Sequence, residues 1–368
     1  MALATWKDLT TLHKIRNLFE QIYDFENLHQ AYLEARKGKR YRHEVMRFTN
    51  HLEENLIQIQ NELMWRTYEV GRYREFFVHE PKKRLVMALP FKDRVVQWAI
   101  YRVLNPYFEK GFIQDSFACR VGFGTHKAVD RLQYWLRYMG RRFDRLYVLK
   151  MDISKYFYRV NHDVLMGILS RRIDDHGLLW LLETIIRCEH TDFGIPLGDH
   201  QFEKERIGGL GMPIGNLTSQ MFANLYLNEL DQYAKQTLRV KRYLRYMDDV
   251  VILHEDKKYL WELKGQLEEL ITHKLHLELN NKTMVSTVSR GVDFVGFRVW
   301  STHKKLRKKS ALRMKRRLRY LQRAYARGDV NMQEVSCSVQ SYLGIMKHCD
   351  SHNLKTKLLQ SLTFVRKN

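Results

Sequence analysis

A chain of 368 residues with 63 Lys and Arg against 41 Asp and Glu carries a formal charge of +22, and its 45% hydrophobic content suffices for a core spread over two or three structural units. That much positive charge exceeds what solubility needs and points to a polyanion, with nucleic acid ahead of an acidic membrane surface. No apolar run reaches about 18 residues and the first residues lack the apolar stretch of a signal peptide, so neither a membrane span nor a secretory leader is expected.

Residues Trp6 to Leu63 read as helices, because apolar residues recur at i, i+3 and i+4 in EVMRFTNHLEENLIQIQNEL. YREFFVHEPKKRLVMALP reads as two strands around a turn at Pro81. FKDRVVQWAIYRVLNPYFEKGF is a helix. CRVGFGTHKAV (119–129) lacks the strand–GxGxxG–helix context of a nucleotide fingerprint. RLYVLKMDI is a short apolar strand that ends at Asp152. The Gly-rich GGLGMPIG leads into a long helix, NLTSQMFANLYLNELDQYAKQ. YLRYM and VVILH make a hairpin, DFVGFRVW is one further strand, and from His303 onward the chain reads as basic helix. Strands and helices mix without regular alternation, which is the pattern of an α+β fold. Cys119, Cys188, Cys337 and Cys349 form no C-x-x-C pair, which argues against structural zinc and fits reduced thiols in a reducing cytosol.

Chemistry concentrates in two strand ends. Asp152 closes one apolar strand, and Asp248 sits at a turn between two others, 96 residues downstream. If those strands are neighbours, the carboxylates converge. Magnesium takes hard oxygen ligands, one or two of them carboxylates, and leaves positions for substrate phosphates. Two such ions activate an attacking hydroxyl and stabilise leaving pyrophosphate. A lone Asp-Asp is more often a solvated turn, since Asp is favoured there. Yet Asp-Asp is a poor hairpin tip beside Asn-Gly, and the apolar flanks shift the reading toward function.

YMDD at 246–249 resembles the reverse transcriptase signature, and the resemblance extends along the chain. KMDISKYFYRVNHDVL resembles the motif that carries the first catalytic aspartate. MPIGNLTSQMFANLYLNELD resembles the motif that contacts template and incoming nucleotide. LHLELNNKT and DFVGFRVW resemble the two motifs after the catalytic hairpin, and EPKKRLVMALPFKDRVVQ resembles bacterial fingers motifs. These occur in order from about Tyr73 to Trp300. Many bacterial members read QGxxxSP where this chain reads IGNLTSQ (214–220), a form similar to the enzymes of diversity-generating retroelements.

The resemblance implies a right-hand polymerase with an antiparallel palm sheet and a helical thumb. N-terminal helices and fingers would occupy residues 1–140, the palm 141–300 with a fingers segment at about 165–208, and a basic helical thumb 301–368. It implies an RNA-directed DNA polymerase that copies a template-repeat RNA into cDNA with errors opposite adenine, for mutagenic retrohoming. Asp152 and Asp248 would hold two Mg2+ ions, which Mn2+ can replace, with the carbonyl of Ile153 as a further ligand and Asp249 in support. Phe157 would be the steric gate against a 2′-hydroxyl, with a core aromatic as the alternative. Tyr158 departs from the usual small or acidic residue, which implies an altered surface contact. Arg84 would contact the triphosphate, as a bidentate donor suits, and Arg94 shares the fingers motifs. For Lys83 and Lys92 a solvated charge is the equal alternative. Ile214 carries the family's association with adenine infidelity, Gly215 allows close backbone approach, and Gln220 would touch template or minor groove. Lys282 would protonate pyrophosphate or form a structural ion pair. Phe294, Val295, Gly296 and Phe297 resemble the primer grip.

From Lys304 to Arg327 there are 12 Lys and Arg and no acid, with Leu312, Leu318 and Leu321 near one face. A solvated face is the usual meaning of a charge run. A one-signed run favours phosphate contact by a thumb helix, through Lys304, Lys305, Arg307, Lys308, Lys309, Arg313, Arg316 and Arg317. SYLGIMKHCDSHNL (341–354) would close the thumb. The residues after the primer grip leave room for a thumb but not for a ribonuclease H or endonuclease domain. The family pairs with a small basic helical accessory variability protein. Two basic proteins would not pair by charge alone, so a shared grip on template RNA is expected. The remaining expected partners are template RNA, cDNA and dNTPs, with no membrane, in a bacterial, archaeal or phage-infected cytoplasm. The competing readings are a retron-like or group II intron-derived enzyme, or an RNA-binding protein on a decayed polymerase scaffold.

Overall fold

A computed structural model describes residues 14–78, 84–197 and 206–366. In chain order the elements begin with helices α1 (Phe19–Tyr23), α2 (Phe25–Ala35), α3 (His43–Asn50) and α4 (Leu52–Met64). Strands β1 (Arg74–Val78) and β2 (Arg84–Ala88) follow, then α5 (Phe91–Lys110), α6 (Thr125–Gly140) and β3 (Tyr147–Asp152). Next come α7 (Tyr156–Arg159), α8 (His162–Arg172), α9 (His176–Arg187) and α10 (Leu217–Gln232). A hairpin of β4 (Tyr243–Tyr246) and β5 (Asp249–His254) comes next, followed by α11 (Lys257–His273) and β6 (Met284–Thr287). The chain closes with β7 (Val292–Phe294), β8 (Phe297–Val299), β9 (Lys304–Leu306), α12 (Lys308–Arg327), α13 (Met332–Met346) and α14 (His352–Gln360). The turn expected at Pro81, Lys83 beside it, and the helix expected from Trp6 to residue 13 lie outside the described residues.

The chain divides into two compact units. The first comprises Met1–Gln114, Ile153–Arg239 and Gln266–Asn280. Its centre is α5, whose Val95, Val96, Ala99, Ile100 and Leu104 are fully buried and which packs on α2 and α10. Helix α10 buries residues all round its circumference, from Thr218 to Asp231, as an interior helix must. β1 and β2 form an antiparallel pair in register Val78↔Arg84 and Arg74↔Ala88.

The second unit comprises Asp115–Asp152, Val240–Gly265 and Asn281–Asn368. Its main sheet has strand order β4-β5-β3-β6, all antiparallel. Leu132, Trp135, Leu136 and Met139 of α6 share a core with Val148, Leu244, Val251 and Leu253 of the sheet and with Phe294, Phe297 and Val299. A second core joins the last three helices through Met314, Leu318, Leu321, Val335, Met346 and Leu358.

Three expectations require correction. DFVGFRVW is not one strand but the hairpin β7–β8, paired Phe294↔Phe297. Its two-residue turn, Val295 at φ 36° and Gly296 at φ 91°, uses the left-handed region that tight hairpins need. Nor is the chain helical from His303: Lys304–Leu306 is an edge strand paired with β8, and the helix starts at Lys308. Finally, Leu312 is 44% exposed, and Met314 takes its place in the core with Leu318 and Leu321. The buried spacing of 314, 318 and 321 is the i, i+4, i+7 stripe of one helix face, which position 312 does not share.

Candidate active site

In the second unit, strand register joins the acids. Asp152, the last residue of β3, pairs across the ladder with Asp249, the first residue of β5. Register partners point to the same face of a sheet and sit about 5 Å apart. Tyr246 of β4 also pairs with Asp249, so Met247 and Asp248 form a two-residue turn. Met247 adopts φ 53°, a left-handed conformation that costs a residue with a Cβ about 1–3 kcal/mol and persists only where its surroundings impose it. The paired acids therefore straddle a boundary, with Asp248 in the turn and Asp249 in the strand. All three carboxylates are partly exposed at one end of the sheet.

Those surroundings include a residue that sequence reasoning missed. Arg245 has no exposed surface, and its Nη1 donates to the Met247 carbonyl at 3.1 Å. Its own backbone is clasped from both sides, donating to Asp115 O at 2.9 Å and accepting from Phe117 N at 3.0 Å. An arginine inside the apolar strand YLRYM was the available signal, because a charge is rarely buried without partners. Further braces surround the hairpin. Thr125 Oγ1, within CRVGFGTHKAV at the start of α6, donates to Tyr246 OH at 3.1 Å. The Tyr246 ring meets Phe294 edge to face at 6.5 Å, which links the β4–β5 hairpin to FVGF. Lys150 Nζ lies 3.7 Å from Asp249 Oδ1 and offsets part of the negative charge. Asp152 N lies 3.5 Å from Thr283 Oγ1, so the NNKT segment with Lys282 reaches the same strand end.

These donors suit a hard divalent cation. Carboxylates from Asp152, Asp248 and Asp249 are oxygen ligands of the type magnesium takes, and they leave positions for phosphate and water. Among the described residues no group of three or more His, Cys, Asp or Glu side chains is placed to hold a metal ion by itself.

Within the same unit, Phe294 and Phe297 are buried, 0% and 3% exposed, so the tip of that hairpin presents Val295 and Gly296. Lys304 is paired with Asp130, and its backbone N–H donates to Asp350 at 3.0 Å, so it serves the structure. Lys305, Lys308, Lys309, Arg313, Arg316 and Arg317 are exposed, whereas Arg307 is partly covered near Asp293. The four cysteines are free thiols, with Cys188 buried.

The first unit holds the other predicted residues. Ile153 follows Asp152 in the chain and bridges to Leu279. Phe157, partly exposed, accepts from Met212 N at 2.6 Å, and Val160 O accepts from Gly211 N at 2.8 Å. The GMPIG loop is thus laid alongside Phe157. His162, buried beneath it, donates through Nε2 to Gly211 O at 2.7 Å, and burial holds its imidazole below the usual value. Arg159, wholly buried, is paired with Glu278 and also donates to Pro196 O at 3.2 Å. Tyr158 carries the Arg206 guanidinium over its ring at 4.5 Å.

The loop continues onto β2. Ile214 O accepts from Met87 N at 3.2 Å, and Gly215 sits at φ 124° with Met87 O and Val86 Cγ1 only 3.3 Å from where a Cβ would stand. Asn216 Nδ2 donates to Tyr73 OH at 2.7 Å, and burial pushes that phenol well up. Gln97 Oε1 accepts from Leu217 N at 3.1 Å, capping α10 from α5. Gln220 is exposed on the next turn. Arg94 pairs with Glu44 at 3.1 Å and donates to Leu89 O at 2.9 Å, whereas Lys92 pairs with Glu62. Arg84 opens β2 opposite Val78.

Strand-end acids on an antiparallel sheet, a glycine-kinked loop before a buried helix, and a basic C-terminal helical bundle are the parts of a right-hand polymerase. The family described as reverse transcriptase (RNA-dependent DNA polymerase) matches residues 79–299, and the chain belongs to that family. Protein YkfC of Escherichia coli (strain K12) is 26% identical over 276 residues, covering 66% of this chain and 70% of YkfC. The group II intron-encoded protein LtrA of Lactococcus lactis subsp. cremoris is 22% identical over 311 residues, covering 67% of this chain and 49% of LtrA. Among solved structures, telomerase from Candida albicans aligns with 81% of this chain and 56% of its own, at 13% identity and a TM-score of 0.46. No described helix is long and apolar enough to cross a membrane.

Proposed function

We propose that this reverse transcriptase copies a template-repeat RNA into cDNA for a diversity-generating retroelement, with elevated error opposite adenine. The observation that carries this reading is IGNLTSQ at 214–220, which puts an apolar side chain where related enzymes have glutamine. An isoleucine offers a pairing base no hydrogen bond, so shape alone discriminates there, and shape discriminates less than a buried polar partner does. Residues 1–140, 141–300 and 301–368 serve as fingers with N-terminal helices, palm and thumb.

Asp152 and Asp248, with the Ile153 carbonyl, hold the divalent ions, and Asp249 supports them. Magnesium bound there supplies charge neutralisation at the reacting phosphate and acidifies the primer hydroxyl. Phe157 excludes a 2′-hydroxyl beneath the sugar, Arg84 meets the triphosphate, Lys282 faces the leaving pyrophosphate, and the Val295–Gly296 turn supports the primer end. The exposed bases of α12 track the RNA–DNA duplex. An accessory variability protein would share the template RNA, and the reaction would take place in the cytoplasm.

The test is cDNA synthesis on an adenine-containing RNA, with and without a candidate accessory protein, followed by product sequencing. Ile214→Gln should lower misincorporation opposite adenine relative to other template bases, and an unchanged error spectrum refutes the retroelement reading. A second reading, an intron-derived enzyme, is favoured by the similarity to the group II intron-encoded LtrA. It predicts faithful copying by the unaltered chain.

A further inference from the structure

The turn between α2 and α3 brings Lys39 and Arg42 to a cavity in the first unit where Arg94 of α5 already stands, and of the three cations only Arg94 belongs to the motifs discussed above. The cavity, about 320 Å³, is walled by β2 and by the start of the α10 segment and is lined by Lys39, Arg42, Arg94, Gly215 and Gln220. Arg94 is partly neutralised by Glu44, which stands in the first turn of α3. Lys39 is half-buried, and burial, Arg94 and Arg42 all press its ammonium below the usual value, with Glu44 alone opposing them. The three cations against one carboxylate leave a local excess of positive charge. Arg42 also stands at the N-cap of α3, which has no side-chain cap, so the positive end of that helix adds to the same spot.

Like charges gathered at a partly buried point repel one another, and an anion relieves that repulsion. The floor suits a phosphate carried on a sugar backbone. Gly215 has no side chain, and the exposed Gln220 amide sits beside the cations as a neutral hydrogen-bonding group. We infer that Lys39 and Arg42, with Arg94 behind them, form a phosphate-binding pocket that seats the backbone of an RNA strand against the loop at 214–220.

This inference rests on the polymerase reading for the identity of the strand. The shared chemistry is a phosphate, which a template strand or an incoming dNTP could supply, and the pocket's place on the first unit's N-terminal turn favours the strand. Neither Lys39 nor Arg42 packs in a core, so the double variant Lys39→Gln/Arg42→Gln keeps the fold testable by its melting temperature. The full chain is titrated with a short unstructured fluorescent RNA over a range of salt. Each phosphate contact on a single strand contributes about 0.7 to the slope of log K against log salt. Loss of two contacts should therefore reduce the slope by about 1.4 and weaken binding several-fold at low salt. The same variant is assayed for the KM of dNTP on a preformed primer–template. An unchanged KM with a reduced RNA slope supports the inference. A raised KM with an unchanged slope assigns the phosphate to the nucleotide and overturns the strand assignment, and no change in either measurement overturns the pocket. RNA binding needs no chemistry, so this result is independent of whether Asp248→Asn abolishes primer extension, which tests the polymerase reading itself.

Discussion

Replacing Arg245 separates support of the Met247–Asp248 turn from simple core packing. The side chain is wholly buried and donates to the Met247 carbonyl at 3.1 Å. Arg245→Met keeps a long unbranched side chain in the same space but removes the donor. The Met247 carbonyl sits in a partly exposed turn, so losing this donor falls at the lower end of the cost of an unsatisfied polar group, about 1 kcal/mol. Met247 already holds a left-handed conformation at φ 53°, which stores a comparable ~1–3 kcal/mol. Without the donor the turn should relax, and Asp248 should move with it. A displacement of about 1 Å near the chemistry can cost on the order of 100-fold in rate. We therefore expect kcat for templated primer extension to fall roughly 10- to 100-fold, with the KM for dNTP little changed because Arg245 reaches no substrate. Arg245→Lys, which keeps a charged donor but not the guanidinium fork, should restore part of the rate. Steady-state kinetics on a defined RNA template, paired with thermal melting, provide the assay. If Arg245→Met melts earlier yet keeps kcat within about twofold, the residue only packs, and the turn does not depend on it.

Other perturbations probe the same architecture. Asp152→Asn and Asp248→Asn should each abolish primer extension while sparing RNA binding by anisotropy, and full dNTP incorporation by either would remove the metal-site assignment. Gly215→Ala meets both a left-handed φ of 124° and contacts at 3.3 Å, so it should cost on the order of 1–2 kcal/mol and depress activity more than melting. Arg159→Met removes the partner of the partly exposed Glu278 and the donor to Pro196 O, and should cost about 1–3 kcal/mol, read as a lowered melting temperature. His162 titrates lower in the folded chain than in the unfolded one, so its stabilising effect is complete above the unfolded value of 6.5 and declines as the pH falls below it. Melting between pH 7.5 and 5.5 should therefore show a drop that His162→Gln reduces, and an equal drop in both proteins would exclude His162 as its source.

Much of this was legible in the sequence because the relevant signals are local. Apolar runs of strand length on both sides of Asp248 and Asp249 specify a hairpin, and a run ending at Asp152 specifies a strand end. That the two would pair required only adjacency in a sheet. What the sequence withheld was register. It could not reveal that Asp249 rather than Asp248 stands opposite Asp152, because a two-residue turn starting at Met247 demands a positive φ that methionine does not advertise. DFVGFRVW misled for a similar reason. Phe294 and Phe297 read as one apolar strand, and only the left-handed pair Val295–Gly296 folds them back. Arg159 and Arg245 were not among the expected site residues, because their partners, Glu278 and the Met247 carbonyl, are found only through tertiary structure. Leu312 misled through composition, since three leucines in a basic helix suggest a stripe until Met314 is counted.

The segmentation of the two units bears on how the protein comes into being. Each unit is stitched from three separated stretches, and the first is not complete until Asn280 has been made. At a synthesis rate of about 5–20 residues per second, the helices up to Gln114 wait on the order of 10 s for the stretch that supplies Glu278, the partner of Arg159. Until Gln232 has been made, α5 has no α10 to cover it, and its apolar face is open to other nascent chains. Chaperone demand should therefore peak midway through translation, and shifting codon speed between residues 115 and 280 should change the soluble yield without changing a single amino acid.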